Sequence, residues 1–203
     1  MAAGGAAVRA FVAIDLPAPI KEALGQLQAG LDLPPEIIRW VRPENLHLTL
    51  QFLGEVPEAK VAAVGTAVEE VAHRADPFVV DLARLGAFPT LGAPRVVWVG
   101  VERGAEEAEA LARALGRALR PLGFKPEDRA FRPHLTLGRV RAAHARERLM
   151  RAVEQARDVT VGEVRVDRVV LFRSDLRPTG PIYAKLRECP LGTGAGAAAP
   201  HGG

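Results

Sequence analysis

Apolar positions along the chain recur at two spacings, one suited to strands and one to helices. Val8 to Ile14 is an apolar run that reads as a strand. Asp15, Pro17 and Pro19 mark the turn into a helix over Ile20 to Leu31, with Ile20, Leu24, Leu27 and Leu31 at helical spacing. Pro34-Pro35 breaks it, and Ile37 to Glu44 leads into a strand over Leu46 to Leu53. Gly54-Glu55 is expected to turn the chain into a helix from Pro57 to about Arg74, with Val61, Val64, Val68 and Val71 on one face. Phe78 to Leu85 is then a strand, and a loop rich in Gly and Pro, Gly86 to Pro94, closes this half.

The second half repeats the order. Arg95 to Val101 is a strand, and Ala105 to Leu119 is a helix patterned by Leu111, Leu115 and Leu119. A loop with Gly123, Pro126 and Arg129 leads to a strand over Pro133 to Val140, then a helical stretch over Ala143 to Gln155. Val159 to Phe172 reads as one long strand and Pro181 to Leu186 as a short closing one. From Leu191 the residues are Gly, Ala, Pro and Thr with His201, too poor in apolar side chains to pack, so residues 1–7 and 191–203 are expected to be flexible.

Each half contains the same four residues, His47-Leu48-Thr49-Leu50 and His134-Leu135-Thr136-Leu137, 87 positions apart. The first strands, at Val8 and Arg95, share that offset, and the helices after the motifs agree within a residue. A constant offset over several elements is the mark of an internal duplication. We therefore expect one domain over 8–187, with two lobes of similar topology (8–88 and 95–187) about a pseudo-twofold axis and the motif strands meeting in a central groove.

On a strand, alternate side chains share a face. His and Thr of each motif fall on one face and both leucines on the other, so two imidazoles and two hydroxyls converge where the motifs meet. Imidazole titrates near neutrality, so one copy can act as general base and the other as general acid. Placed on opposite sides of a phosphorus atom, they suit in-line displacement, with the threonines donating to non-bridging oxygens. Arg132 shares the His134 face. Arg139 has the opposite parity and reaches the site only if the strand bulges near Gly138.

Other chemistries lack their signatures. Two histidines fall short of the three protein ligands usual at a catalytic metal, and there is no H-E-x-x-H, G-x-S-x-G, P-loop or G-x-G-x-x-G. No metal or cofactor is expected. His73 and His144 lie on predicted helices without a matching partner and read as surface residues. The net charge of +3 is mildly basic, and only Lys21, Lys60, Lys125 and Lys185 of the 27 basic residues are lysine. Arginine suits phosphate recognition, although genome composition produces the same bias. The single cysteine, Cys189, rules out an intrachain disulfide and fits a reducing interior. No secretory or membrane-spanning run is present, so the protein is expected in the cytoplasm.

These residues resemble the two-histidine (2H) phosphoesterases, and most closely the RNA 2',3'-cyclic phosphodiesterases, also called 2'-5' RNA ligases. Both HLTL motifs match the family's H-x-T-x motif. Arg9 to Pro17 is similar to its opening strand, Gln51-Phe52-Leu53-Gly54-Glu55 to the continuation after the first motif, and Arg132 to Arg139 to the second block. Ser174-Asp175-Leu176 through Gly180 and Tyr183 is similar to the closing block. The resemblance implies a bilobal α+β fold with mostly antiparallel sheets around a central groove. It implies metal-independent opening of an RNA 2',3'-cyclic phosphate to a 2'-phosphate and a 3'-hydroxyl, with 2'-5' ligation as the reverse chemistry. It makes His47 the proton donor, His134 the proton acceptor, Thr49 and Thr136 phosphate ligands, and Arg139 a further phosphate contact. Phe11 and Trp98, also 87 apart, are candidates for stacking on a base, against a reading as core aromatics. The expected partner is an RNA end, with no membrane and no obligate protein partner, the chain acting as a monomer. A non-catalytic nucleotide-binding module of the same fold, and an enzyme for another cyclic phosphate, are the alternatives.

Overall fold

The structure, a computed structural model, describes residues 6–125, 131–141, 145–178 and 180–192. Pro126, Arg129, Ala143, His144, His201 and the tail beyond Gly192 lie outside them. Among the described residues, nine strands and four helices follow in the order β1 (Ala7–Asp15), α1 (Ala18–Gly30), β2 (Ile38–Trp40), β3 (His47–Pro57), α2 (Glu58–His73), β4 (Phe78–Phe88), β5 (Val96–Val101), α3 (Ala105–Leu119), β6 (His134–Val140), α4 (Arg146–Gln155), β7 (Thr160–Val166), β8 (Arg168–Arg177) and β9 (Gly180–Pro190). Short 3-10 turns precede β3 and follow α3.

The strands form two antiparallel sheets, ordered β3-β1-β8-β9 and β2-β6-β5-β4-β7. Without the added edge strand β2, the two orders correspond strand for strand, with β1 matching β5, β3 matching β6 and β8 matching β4. Each sheet thus combines both sequence halves. Strands β8 and β9 join β1 and β3, while β2 and β4 join β5, β6 and β7. The boundaries 8–88 and 95–187 describe a repeat in sequence, and the sheets are built across it.

Four local expectations change. Gly86 does not open the loop, because β4 runs on past Leu85 to Phe88, paired with β5. The apolar run Val159 to Phe172 is two strands that divide at Asp167, one in each sheet. The first buries alternate residues, Val164 and Val166, and the second buries Val169 to Phe172 on both faces, so the apolar run continues while the chain changes sheets. Gly54 does not end the first motif strand. Its φ of 68° accommodates a bulge, and β3 continues to Pro57 against the start of β1. The closing strand runs to Pro190, and Leu191 is buried, its N–H donating to the Asp167 carbonyl, so the packed chain extends past Leu186.

One continuous core joins the helices to one face of each sheet, with Leu24, Val64, Val68, Leu111, Leu115, Leu149 and Val153 meeting Val12, Ile14, Val97 and Val99. Leu48, Leu50, Leu135 and Leu137 are each no more than 3% exposed within it. Burial of each such leucine contributes about 1.5–3 kcal/mol. A second, smaller cluster of Phe11, Ala13, Val170 and Phe172, with Tyr183 against it, covers the opposite face of the four-stranded sheet. The leucines thereby anchor both motif strands and direct His and Thr away from the helices. Among the described residues no helix is long and apolar enough to cross a membrane.

Candidate active site

Along β3 and β6 burial alternates as the motif requires: His47, Thr49, His134 and Thr136 are half-buried, and the leucines between them are buried. The two motif strands lie against each other where the sheets meet. Neither threonine hydroxyl has a hydrogen-bond partner among the described residues, which leaves both available to a ligand.

The two imidazoles are held the same way. His47 Nδ1 lies 2.7 Å from the carbonyl of Asn45, and His134 Nδ1 lies 2.6 Å from that of Arg132. A carbonyl can only accept, so Nδ1 carries the proton in both rings and Nε2 is left for chemistry. The acceptors sit two residues before each histidine, and Asn45 and Arg132 are themselves 87 apart. The Asn45 side chain also donates to the Pro181 carbonyl (2.8 Å), tying this support to the β8–β9 hairpin. Arg132 contributes its carbonyl, while its side chain is exposed.

Aromatic rings back each imidazole. Phe11 stacks on His47 at 4.7 Å and Tyr183 meets it edge-on at 5.3 Å, while Phe88 meets His134 edge-on at 4.9 Å and Trp98 at 6.5 Å. These contacts revise the stacking candidates. Phe11 is 4% exposed and lies beneath His47, so it supports the imidazole and offers no face to a base. Trp98 is packed against Phe88, which is nearer to His134 than the indole is, and its Nε1–H is buried without a partner among the described residues.

The environments differ in charge. Burial pushes the His47 imidazole below its ordinary range, and Lys21 adds to this. The Asn45 carbonyl and Asp15 oppose it without cancelling it. Asp15 sits opposite His47 across the β1–β3 ladder and bonds Lys21 at 2.8 Å and Lys185 at 3.0 Å. Burial raises this carboxyl, but the two ammonium groups outweigh it and hold it below the usual carboxylate range. A cavity of about 310 Å³ opens beside His47, lined among others by Asp15, Lys21, Arg42, Asn45, Tyr183 and Lys185. A larger cavity of about 510 Å³, between α1 and Trp40, is lined by none of the motif residues.

Arg139 reaches the groove by the bulge its parity required. Opposite β5, Thr136 pairs with Trp98 and Gly138 with Val97, so Leu137 is the extra residue. Opposite β1, Thr49 pairs with Ala13 and Gln51 with Val12, so Leu50 is extra at the same motif position. After each bulge Gln51 and Gly138 turn inward, and Phe52 and Arg139 join the His–Thr face. Buried Gln28 holds the second bulge from α1, donating to the carbonyls of Val41 (2.8 Å) and Leu137 (3.0 Å).

The sequence reading gives Phe52 and Asn45 no role at the site, although the 87-residue offset that pairs the histidines also pairs Phe52 with Arg139 and Asn45 with Arg132. Phe52 is 55% exposed, an unusual setting for a phenylalanine and a free surface for a base. His73 is half-buried at the end of α2. Cys189 is buried and its thiol is pushed up to about 11, chiefly by that burial, so it is inert at neutral pH.

The family model described as LigT like Phosphoesterase matches the chain twice, over residues 14–98 and 99–183. The RNA 2',3'-cyclic phosphodiesterase of Methanothermobacter thermautotrophicus is 38% identical over 179 residues, 88% of this chain and 96% of that protein. The protein of the same name from Aquifex aeolicus is 35% identical over 91% of this chain and 98% of its own length. Among solved structures, TT0787 of Thermus thermophilus superposes with a TM-score of 0.78 at 33% identity, covering 92% of this chain and 98% of that one. E. coli LigT complexed with 3'-AMP superposes with a TM-score of 0.75 at 31% identity, covering 92% and 99%.

Proposed function

The chain belongs to the LigT-like phosphoesterase family, and from that membership we propose that it hydrolyses the terminal 2',3'-cyclic phosphate of RNA to a 2'-phosphomonoester and a free 3'-hydroxyl. The observation that carries this reading is the matched pair of imidazoles, each with Nδ1 bonded to the carbonyl two residues before it and Nε2 left for substrate. A pure binding module needs no such pair.

In the reaction water attacks phosphorus and gives its proton to His134 Nε2, while the P–O3' bond breaks and O3' takes a proton from His47 Nε2. Thr49 and Thr136 donate to the non-bridging oxygens, and Arg139 balances their charge. His47 ends neutral and His134 protonated, and exchange with solvent restores both. A 5'-hydroxyl in place of water would give a 2'-5' bond by the same steps. Because burial disfavours the charged form of His47, the anionic phosphate supplies the charge that favours its protonated form. Phe52, exposed beside His47 and Thr49, is the surface on which the terminal base stacks. The same reading has the protein act as a monomer in the cytoplasm.

The test is hydrolysis of a short RNA ending in 2',3'-cyclic phosphate, in EDTA, by wild type, His47→Ala and His134→Ala. Turnover to a 2'-phosphate is expected, reduced at least about a hundredfold in each variant. Loss of wild-type activity in EDTA would refute a metal-free mechanism. Binding of the cyclic end without turnover would make the protein a binding module.

A further inference from the structure

Strand β2 adds to the five-stranded sheet against β6, with Ile38 opposite Val140, Arg39 opposite Arg139 and Trp40 opposite Gly138. Residues directly opposite across an antiparallel ladder project from the same face, and like charges there are destabilising. Arg39 and Arg139 are both exposed, and neither has an ion-pair or hydrogen-bond partner among the described residues. The bulge at Leu137 places Arg139 on the face of His134 and Thr136, so Arg39 is on that face too.

Its guanidinium reaches further. Arg39 Nη2 lies 3.3 Å from where a Cβ on Gly180 would sit, so it spans from the five-stranded sheet to the tip of the β8–β9 hairpin on the other. Arg139 is close enough to Tyr183 to act on its hydroxyl electrostatically, and Tyr183 in turn packs on His47. Two uncompensated guanidiniums therefore stand side by side at the end of the groove where the hairpin meets β2. A single phosphate monoanion does not account for both, whereas an RNA end presents a second phosphate one nucleotide upstream.

We propose that Arg39 forms a second anion subsite, which binds the phosphodiester on the 5' side of the terminal nucleotide and makes oligonucleotides better substrates than mononucleotides. This rests on the reading in which Arg139 holds the reacting phosphate.

The experiment compares a mononucleoside 2',3'-cyclic phosphate with a pentaribonucleotide bearing the same terminus, for wild type, Arg39→Gln and Arg39→Lys. The ratio of kcat/KM for the oligomer to that for the mononucleotide should fall about tenfold in Arg39→Gln, through KM, as expected for one lost charge-assisted contact. Arg39→Lys should recover part of the ratio, because the charge is kept. The slope of log KM against log salt for the oligomer should drop by about 0.7 in Arg39→Gln, one single-strand phosphate contact. A ratio unchanged by Arg39→Gln overturns the proposal. If wild type turns over neither substrate, the cyclic phosphodiesterase reading fails by itself, and the subsite is judged from binding of the pentamer 2'-phosphate by anisotropy. There, about tenfold weaker binding by Arg39→Gln supports the subsite, and equal binding overturns it.

Discussion

Gly86→Ala is a severe probe of how His134 is supported. Gly86 lies opposite Trp98 on the β4–β5 ladder, and a Cβ there would stand 2.3 Å from Cζ2, 2.5 Å from Cη2 and 2.8 Å from Cε2 of the indole. Carbon atoms rest at about 3.5–4.0 Å, so the ring must retreat by about 1 Å or more. The slot leaves it little room. Phe88 and His134 stand at 5.1 Å and 6.5 Å between ring centroids, and over Gly100 the ring already occupies the place a side chain would take, with Cζ3 3.2 Å from where a Cβ would sit. Overpacking of this kind costs about 1–3 kcal/mol, which for a chain of this size lowers Tm by about 2–4 °C per kcal/mol. Displacement passed to His134 costs up to about a hundredfold in kcat if the imidazole moves by about 1 Å. Urea unfolding gives the first quantity and turnover of the cyclic substrate the second. The double variant Gly86→Ala, Trp98→Phe should recover most of both losses, because the matching place in the other sheet holds two smaller rings, Phe11 and Phe172, stacked at 5.2 Å. A Gly86→Ala protein with wild-type midpoint and kcat would refute the account of the slot.

Two further outcomes follow from the charges and hydrogen bonds around the motifs. Lys21 helps to hold the His47 imidazole below its ordinary range, and a proton donor is lost as pH rises through its pKa. The alkaline limb of kcat/KM should therefore lie below about pH 6.5, and should move to higher pH in Lys21→Met; a pH–rate profile with no shift would contradict this. Gln28→Met leaves the Leu137 bulge without the donor from α1 and should cost about 1–3 kcal/mol in urea, with KM rising more than kcat falls because Arg139 loses its placement.

Much of the site was legible from alternation alone. Leucines and His–Thr pairs of opposite parity required two faces, and the shared offset of 87 required that they recur in matching places. Pairing partners were not legible, because periodicity reports which face of a strand is buried and not which strand lies beside it. The exchange of β4 and β8 between halves, and the division at Asp167, are decisions of that kind. Phe11 shows the same limit at a single residue: its place opposite Phe172 and beneath His47 is set by the ladder with β8, a contact 161 residues away. Phe52 and Asn45 were within reach, since the repeat already pointed to them. Arg39 was not, because its meaning comes from standing opposite Arg139.

The claim on which everything else rests is that His47 protonates the departing 3' oxygen while His134 activates water. A cyclic phosphate with sulfur in place of the bridging 3' oxygen tests it most directly, because a thiolate leaves without a proton donor. Against the oxygen substrate, His47→Ala and His134→Ala should each lose at least about a hundredfold. Against the sulfur substrate, His47→Ala should come within about tenfold of wild type, while His134→Ala keeps its full deficit. An undiminished deficit in His47→Ala, or rescue of His134→Ala in its place, would contradict the assignment.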